Sequence, residues 1–557
     1  MADVSHGSRR VVSALLLTAL VGVDANAEPR APLAETPPAP RDLQALERTG
    51  ALIGAVNIRI DNVFDLSDPA EDKLLYRWAN RVHRTTRPGV IEDILLFTSG
   101  DRLEARLLEE SARLLRDRGF VADATVGAAS YDPATNRADI DVWMRDAWSL
   151  GLDLKLSRSG GENEYGIGFT EDNLLGLGKS FTAAYSSDID RDEALFGYSD
   201  RNVRGGRTRL DVALANTSDG DRIQIAAGRP FYAFDTRWSV AGSALDDERV
   251  DSIYDLGEVI DEFRHDTRSV AIQGGWSRGL IDGRARRWLA GAAYEEDQFI
   301  ATPDNPQPML MPESRKLVYP WIGWQLVVDD YRKMTELNDM GRTEDVPLGL
   351  DVFLSLGFAA ERFGADRRAT IFNASARKGW EPGGPGNLLL FEATASAREE
   401  SDGINNAILA THTQYYHRNF GNQLFSASLT TVHANRLDIE NQVLLGGDNS
   451  LRGYPLRYQS GERSALLTLE QRFFTDWYWF RLVRVGYAFF MDAGRVWGDD
   501  PYNTPNVGTL YDVGVGLRLT SPRSSGNSVV HVDLAFPVGA DPSIDDVQII
   551  VEKKTSF

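Results

Sequence analysis

From about residue 148 to the C-terminus, the chain alternates apolar and polar positions in segments of about ten residues, and no helical period persists. Successive side chains on a strand point to opposite faces, so each such segment has one apolar and one polar side. Tyr511, Val513, Val515, Leu517 and Leu519 share one face, and Asp512, Gly514, Gly516 and Arg518 share the other. Val530, Val532, Leu534 and Phe536 repeat the pattern opposite Val529, His531, Asp533 and Ala535. A two-sheet sandwich produces the same alternation by burying its apolar face. Three features favour a sheet closed on itself in lipid: the regular spacing to the end of the 557 residues, the 50 glycines with 24 Phe and 18 Tyr, and a terminal series Val547, Ile549, Val551 closing on Phe557. Within hydrocarbon, only closure pairs every backbone group of a sheet. The expected fold class is mainly β, with a transmembrane antiparallel barrel over 148–557 and roughly twenty candidate strands by segment count.

The front of the chain reads differently. Arg9 and Arg10 precede an apolar run, Val11 to Val23, and Ala25-Asn26-Ala27 supplies the small residues of a cleavage site. Residues 1–27 are therefore read as a signal peptide. The run is too short to cross a bilayer comfortably. Residues 28–50, rich in Pro and Ala, read as an extended, mobile linker. Residues 51–147 carry a short strand (Val56, Ile58, Ile60), a helical pattern through Leu74, Leu75, Trp78 and Val82, and a second around Ile91, Ile94 and Leu95. A third helix has Leu103, Leu107, Leu108, Leu114 and Leu115 on one stripe with Gly119 as its cap, and two strands follow around Asp132-Pro133 and Asn136. That order is a compact α+β unit.

Composition narrows the function. A net charge of -21 argues against nucleic acid as a partner, because phosphate binding needs clustered Lys and Arg. The chain has no cysteine, so thiolate chemistry and Cys-ligated zinc are excluded. Its 7 histidines are scattered without a metal-ligand spacing, and no nucleophile elbow stands in a strand-to-helix context. No catalytic residue, metal or cofactor is expected. The acidic run Glu295-Glu296-Asp297 reads as an exposed loop.

Three motifs carry more. Leu445-Gly446-Gly447-Asp448-Asn449-Ser450-Leu451-Arg452-Gly453-Tyr454 resembles the signature loop of the BamA/TamA outer-membrane superfamily, with its Arg-Gly-aromatic core. Phe490-Met491-Asp492-Ala493-Gly494 is similar to that superfamily's F-x-D-x-G strand, and Asn173-Leu174-Leu175-Gly176-Leu177-Gly178 to its early N-L-x-G-x-G turn. The segment from about Ala55 to Asp146 resembles a single POTRA (polypeptide-transport-associated) domain. The resemblance implies a barrel of sixteen strands in the bacterial outer membrane, a periplasmic POTRA domain and a long loop latched inside the lumen.

Strand parity bears on that latch. Val485, Tyr487, Phe489 and Met491 are placed toward lipid, so Phe490, Asp492 and Gly494 face the lumen; in the neighbouring segment Thr468, Glu470 and Arg472 share the inward face. A guanidinium at Arg452 folded inward could pair in bidentate fashion with Asp492, with Glu470 nearby, while Gly453 permits close backbone approach. The expected function is insertion, assembly or translocation of polypeptides without nucleotide. Its partners are outer-membrane lipid and an unfolded polypeptide or barrel client, met by the POTRA sheet edge and by the seam between the first strand (near Leu150 to Leu156) and the last (Val547 to Phe557). The alternatives are a two-partner-secretion-type transporter of one dedicated substrate and a passive porin-like channel.

Overall fold

The computed structural model describes residues 42–449, 451–498, 501–526 and 528–554. The signal-like segment, most of the Pro/Ala-rich stretch and Phe557 lie outside the described residues. The first described element is not extended linker but helix α1 (Leu43–Arg48), N-capped by Asp42, with Leu46 buried in the small domain. A side-chain cap and one apolar anchor suffice to fold this turn of helix onto its neighbour.

The small domain continues with β1 (Leu52–Asp61), α2 (Leu74–Val82), α3 (Pro88–Glu92), α4 (Ala105–Arg116), β2 (Val121–Asp132) and β3 (Arg137–Asp146). Its sheet has the order β1-β3-β2, with β1 parallel and β2 antiparallel to β3. Ile53, Ile91, Ile94, Leu103, Leu108, Leu115, Ile140 and Val142 form its core. One expectation changes. Asp117, not Gly119, is the C-cap of α4, and the Gly119 carbonyl instead accepts from the Gly526 N–H of a barrel turn. The stripe Leu74, Leu75, Trp78, Val82 faces outward, while Tyr76 and Ala79 are buried.

The remainder is a closed antiparallel barrel of twenty strands, from Leu150–Ser159 to Gln548–Lys554. That is the number of alternating segments, not the sixteen the resemblance implies. The parity expectation is met in the strands singled out above except at Val485, which was placed toward lipid with Tyr487, Phe489 and Met491 but is buried where its strand enters the barrel. In Leu510–Thr520 the odd positions Tyr511, Val513, Val515 and Leu517 are exposed and the even ones buried. No helix among the described residues is long and apolar enough to cross a membrane. Trp238–Asp255, Glu258–Ile281 and Arg284–Ile300 are among the strands longer than the 9–11 residues needed to span hydrocarbon. Glu295-Glu296-Asp297 therefore lies on a strand rather than in a loop. Asp297 is tied to His265 at 3.0 Å and Arg315 at 3.1 Å, and Tyr319 donates to Glu295 at 2.6 Å.

The seam is the weakest pairing. Among the described residues, the last strand has seven and meets the first through one register pair, Val551 with Arg158, whereas the first strand matches the second along all ten of its residues. Ile549 is exposed on the lipid side, and Val547 precedes the strand.

Between strands Arg315–Val328 and Asp351–Ala359, a hairpin (Tyr331–Thr335 with Thr343–Pro347) crosses the proximal mouth, the one on the small domain's side. Its Leu337, Met340, Val346 and Leu348 pack on Leu388, Tyr416, Leu424, Phe474 and Ala488 of other strands. The Leu337 carbonyl accepts from Arg472 (2.9 Å), and Asn338 accepts from the Tyr416 hydroxyl (2.8 Å). Glu344 accepts the backbone N–H groups of Leu337 (2.9 Å) and Asn338 (3.0 Å), and burial pushes its carboxyl from 4.5 up to about 7 against those bonds. A carboxyl whose folded value is raised stabilises the docked tip most below its unfolded value of 4.5, and that stabilisation is lost as pH climbs through 7. A spin label at Thr335→Cys should therefore be less mobile at pH 5 than at pH 8, and Glu344→Gln should abolish the difference.

Candidate functional site: a loop latched inside the barrel

The loop of residues 436–462 starts at the distal rim and folds inward. Its limbs are pinned by Arg315 to Glu440 (2.5 Å), Arg398 to Asp438 (2.7 Å), the Gln442 amide to the Tyr254 carbonyl (3.0 Å), and Arg457 to Asp190 (2.7 Å). It passes so close to the first hairpin of the barrel that a Cβ on Gly160 would stand 2.3 Å from the Leu456 nitrogen, and the Ser159 hydroxyl donates to the Gly447 carbonyl (2.7 Å).

At the tip, the structure places Arg452 against Asp492 with both prongs of the guanidinium engaged: Nε to Oδ2 at 2.8 Å and Nη2 to Oδ1 at 3.0 Å. The third nitrogen reaches Asp533 at 3.2 Å and lies 3.7 Å from Glu470. The guanidinium carbon stands 3.2 Å from the centroid of the Phe490 ring, a cation–π contact in a buried setting. Burial works against the charge of Arg452, but Asp492, Glu470 and Asp533 outweigh it and raise its titration above the ordinary value. The Gly453 N–H donates to Asp512 (2.9 Å), and the Tyr454 hydroxyl donates to the Tyr511 carbonyl (3.2 Å). Gly494 leaves space that a Cβ would take from Leu445 at 2.6 Å. Asp492 is fully buried, so the two bonds from Arg452 replace water that its carboxylate has lost.

Four residues of this cluster were not assigned to it from the sequence: Arg518, Asp533, Asp512 and Arg472. Arg518 is fully buried, pairs with Asp533 and donates to Glu470 at 2.7 Å; Arg472 donates to Glu470 at 2.9 Å. The inward parity of Asp512, Arg518 and Asp533 was the available signal, since each stands on the polar face of its alternating strand. The result is one continuous charged wall. It runs from the loop tip at Arg452 through Asp533, Arg518, Glu470 and Arg472 to the Leu337 carbonyl of the proximal hairpin. Gly453→Ala should loosen the tip by about 1–3 kcal/mol, because its Cβ would meet the Asp512 Cβ at 2.6 Å. Faster proteolysis of the loop with an unchanged barrel far-ultraviolet spectrum would show it.

The early turn does something else. Leu174–Gly176 forms a tight turn with Leu175 at φ 55° and Gly176 at φ 73°, and a Cβ on Gly176 would meet the Thr85 carbonyl at 2.4 Å. The side chain of Asn173 accepts from the Gly178 N–H (2.7 Å) and donates to the Thr86 hydroxyl (2.8 Å), which is bonded to Asp146 (2.6 Å), itself bonded to His83 (3.1 Å). The motif thus docks the small domain on the barrel. A second turn, Asn202-Val203-Arg204-Gly205, has the same conformation, and the Arg207 beyond it donates to the carbonyls of Ile94 and Leu95. Helix α4 completes the docking: Arg116 forks onto Asp345 of the hairpin (2.7 and 2.8 Å), and Arg113 lies over the Tyr331 ring at 3.9 Å. Among the described residues, no group of His, Cys, Asp or Glu could hold a metal ion.

Comparison with known proteins gives one family match and several partial likenesses. The Omp85 superfamily domain matches residues 386–549, which take in the latched loop and both walls it touches. The outer membrane transporter CdiB of Escherichia coli is 33% identical over 118 residues, 20% of this chain and 19% of that protein. The matched stretch is thus about a fifth of that relative's length. Among solved structures, CdiB from Escherichia coli superposes over 90% of this chain and 76% of its own, at 13% identity and a TM-score of 0.45. BamA from Haemophilus ducreyi lacking POTRA domains 1-3 does so over 90% and 85%, at 12% identity and a TM-score of 0.38. Residues 386–549, which carry the Arg-Gly-Tyr loop and the Phe-x-Asp-x-Gly strand, thus match an Omp85 superfamily domain, set here within a closed barrel.

Proposed function

We propose that this protein inserts or translocates unfolded polypeptides at the outer membrane without nucleotide. In this reading residues 51–147 are a single POTRA domain on the periplasmic side, and residues 148–557 are the membrane barrel. The seam carries the proposal. A strand held to its neighbour by one register pair leaves backbone N–H and C=O groups that an incoming strand can satisfy, and in lipid each unmet group costs several kcal/mol. Lys553 interrupts the apolar alternation of the closing strand, in keeping with a short seam. The Arg452 latch serves as the fixed point that holds the loop in the lumen and against the first hairpin while the seam opens. The POTRA sheet edge offers a first site for β-augmentation by the client.

The occluded lumen favours a second reading, a two-partner-secretion-type transporter that threads one dedicated substrate past a displaceable plug. It counts against a passive porin. A disulfide between Arg158→Cys and Val551→Cys, in a chain with no other cysteine, separates the first two. Locking the seam should abolish activity in cells if clients enter through it, with broad loss of outer-membrane barrels from the proteome. Undiminished activity of the locked protein, or loss of a single secreted protein on depletion, overturns the seam mechanism in favour of the transporter.

A further inference from the structure

Helix α2 carries an apolar face that no other described part of the chain covers. Leu74, Leu75, Trp78 and Val82 are 85%, 54%, 55% and 42% exposed. At 100° per residue they fall within one arc, while Tyr76 and Ala79 point the other way and pack on Val63 and Phe64. An apolar stripe with a tryptophan at its centre is costly to leave in water.

Charge identifies what meets it. Residues 73–87 hold Lys73, Arg77, Arg81, Arg84 and Arg87 and no acidic residue, within a chain of net charge -21. Lys73, Arg77, Arg81 and Arg84 are exposed, and Arg77 forks onto Asp72, which leaves Lys73, Arg81 and Arg84 as the cations offered outward. Arg77 and Arg81 flank the apolar arc on the side away from Ala79. A short basic helix with Leu and Trp on its open face is built to lie in a membrane interface.

Position agrees. The Tyr76 hydroxyl donates to the Phe480 carbonyl, and Asp68 pairs with Arg481 at 2.9 Å, so the helix is fastened to the turn between strands Arg463–Trp479 and Val483–Trp497. Trp477, Trp479 and Phe480 of that turn region are 53%, 51% and 79% exposed. Aromatic residues at a strand end mark the level where a barrel leaves hydrocarbon. Helix α2 is therefore anchored beside the barrel's proximal aromatic turn.

We propose that α2 is a membrane-interface helix. Leu74, Leu75, Trp78 and Val82 enter the acyl-chain boundary of the leaflet on the small domain's side, and Lys73, Arg81 and Arg84 meet the phosphates of anionic phospholipids. The small domain is then held by lipid as well as by barrel turns. The contact requires only that the barrel span a membrane; which leaflet it is rests on the periplasmic placement proposed above.

The full chain in nanodiscs tests this, with single nitroxide labels at Leu75→Cys on the helix or Phe489→Cys on the lipid face of the barrel. In discs containing phosphatidylglycerol, the Leu75 label should be reached by oxygen far better than by a nickel chelate, as the Phe489 label is. Lys73→Glu with Arg81→Glu and Arg84→Glu should reduce the inserted fraction by roughly fivefold per cation in these discs, and far less in phosphatidylcholine discs. If the Phe489 label reports lipid but the Leu75 label is open to the nickel chelate in both discs, the helix proposal fails and the barrel stands. If the Leu75 label is shielded from both reagents, a protein surface covers the helix and the lipid contact is overturned. A nickel-accessible Phe489 label would overturn the membrane barrel itself.

Discussion

Arg452→Ala should destabilise the latched state by about 3–5 kcal/mol, the cost of leaving buried carboxylates without their cation. Asp492, Asp533 and Glu470 all lose contacts in this variant, and Arg518 alone cannot compensate both ends of the wall. The expected result is a loop cleaved rapidly by added protease, a lower temperature for the heat-induced shift of the barrel on gels, and loss of activity in cells. Arg452→Lys keeps the charge but not the fork onto Oδ1 and Oδ2 of Asp492, so it should recover only part of the loss. The double variant Arg452→Ala with Asp492→Ala should be less damaged than the sum of the single changes, because the two side chains share one interaction. Wild-type protease resistance in both single variants would remove the latch from the mechanism.

Replacement of the proximal hairpin, residues 331–347, by a short turn should convert a closed protein into one with steady, porin-like conductance. Barrels of 16–18 strands already leave an aqueous channel when nothing fills them, and this one has twenty. The hairpin covers the proximal mouth and the Arg452 loop occupies the distal half, so removal of either alone should conduct less than removal of both. The hairpin is also where the small domain and the latch meet physically: Arg116 holds its stem at Asp345, and Arg472, bonded to Glu470, holds its tip at Leu337. Arg116→Ala should accordingly increase channel-opening frequency in planar bilayers without altering the fully open conductance. A porin-like baseline in the unaltered protein would contradict the occluded lumen.

The barrel was legible in the sequence because period-two alternation is a local property. Whether Val515 or Gly516 meets lipid follows from parity once one face is apolar, and every neighbour along the strand repeats the vote. The core of the small domain was legible on the same ground at Leu103, Leu108 and Leu115. The stripe of α2 was not, because a periodic apolar face announces that something must cover it without saying whether that is protein or lipid. Residues 43–48 read as linker because six residues beside a Pro-rich stretch carry too little pattern; a single buried side chain, Leu46, turns them into helix.

Arg452, Gly453, Tyr454, Asp492 and Gly494 could be singled out from motif and parity, and the inward face of Glu470 likewise. The sequence alone thus determined that the chain builds a closed alternating sheet with inward carboxylates and one glycine-flanked arginine loop. Only the tertiary structure decided that three arginines and four carboxylates from one loop and four strands, with Arg452, Arg472 and Arg518 among Asp492, Asp512, Asp533 and Glu470, form a single buried wall. It alone also decided that a hairpin fills the proximal mouth and that both early turns serve as docking sites for the small domain. The reason is physical: parity is set within about two residues, whereas a buried ion cluster is balanced by side chains brought together from positions far apart in the chain, and no local pattern records that balance.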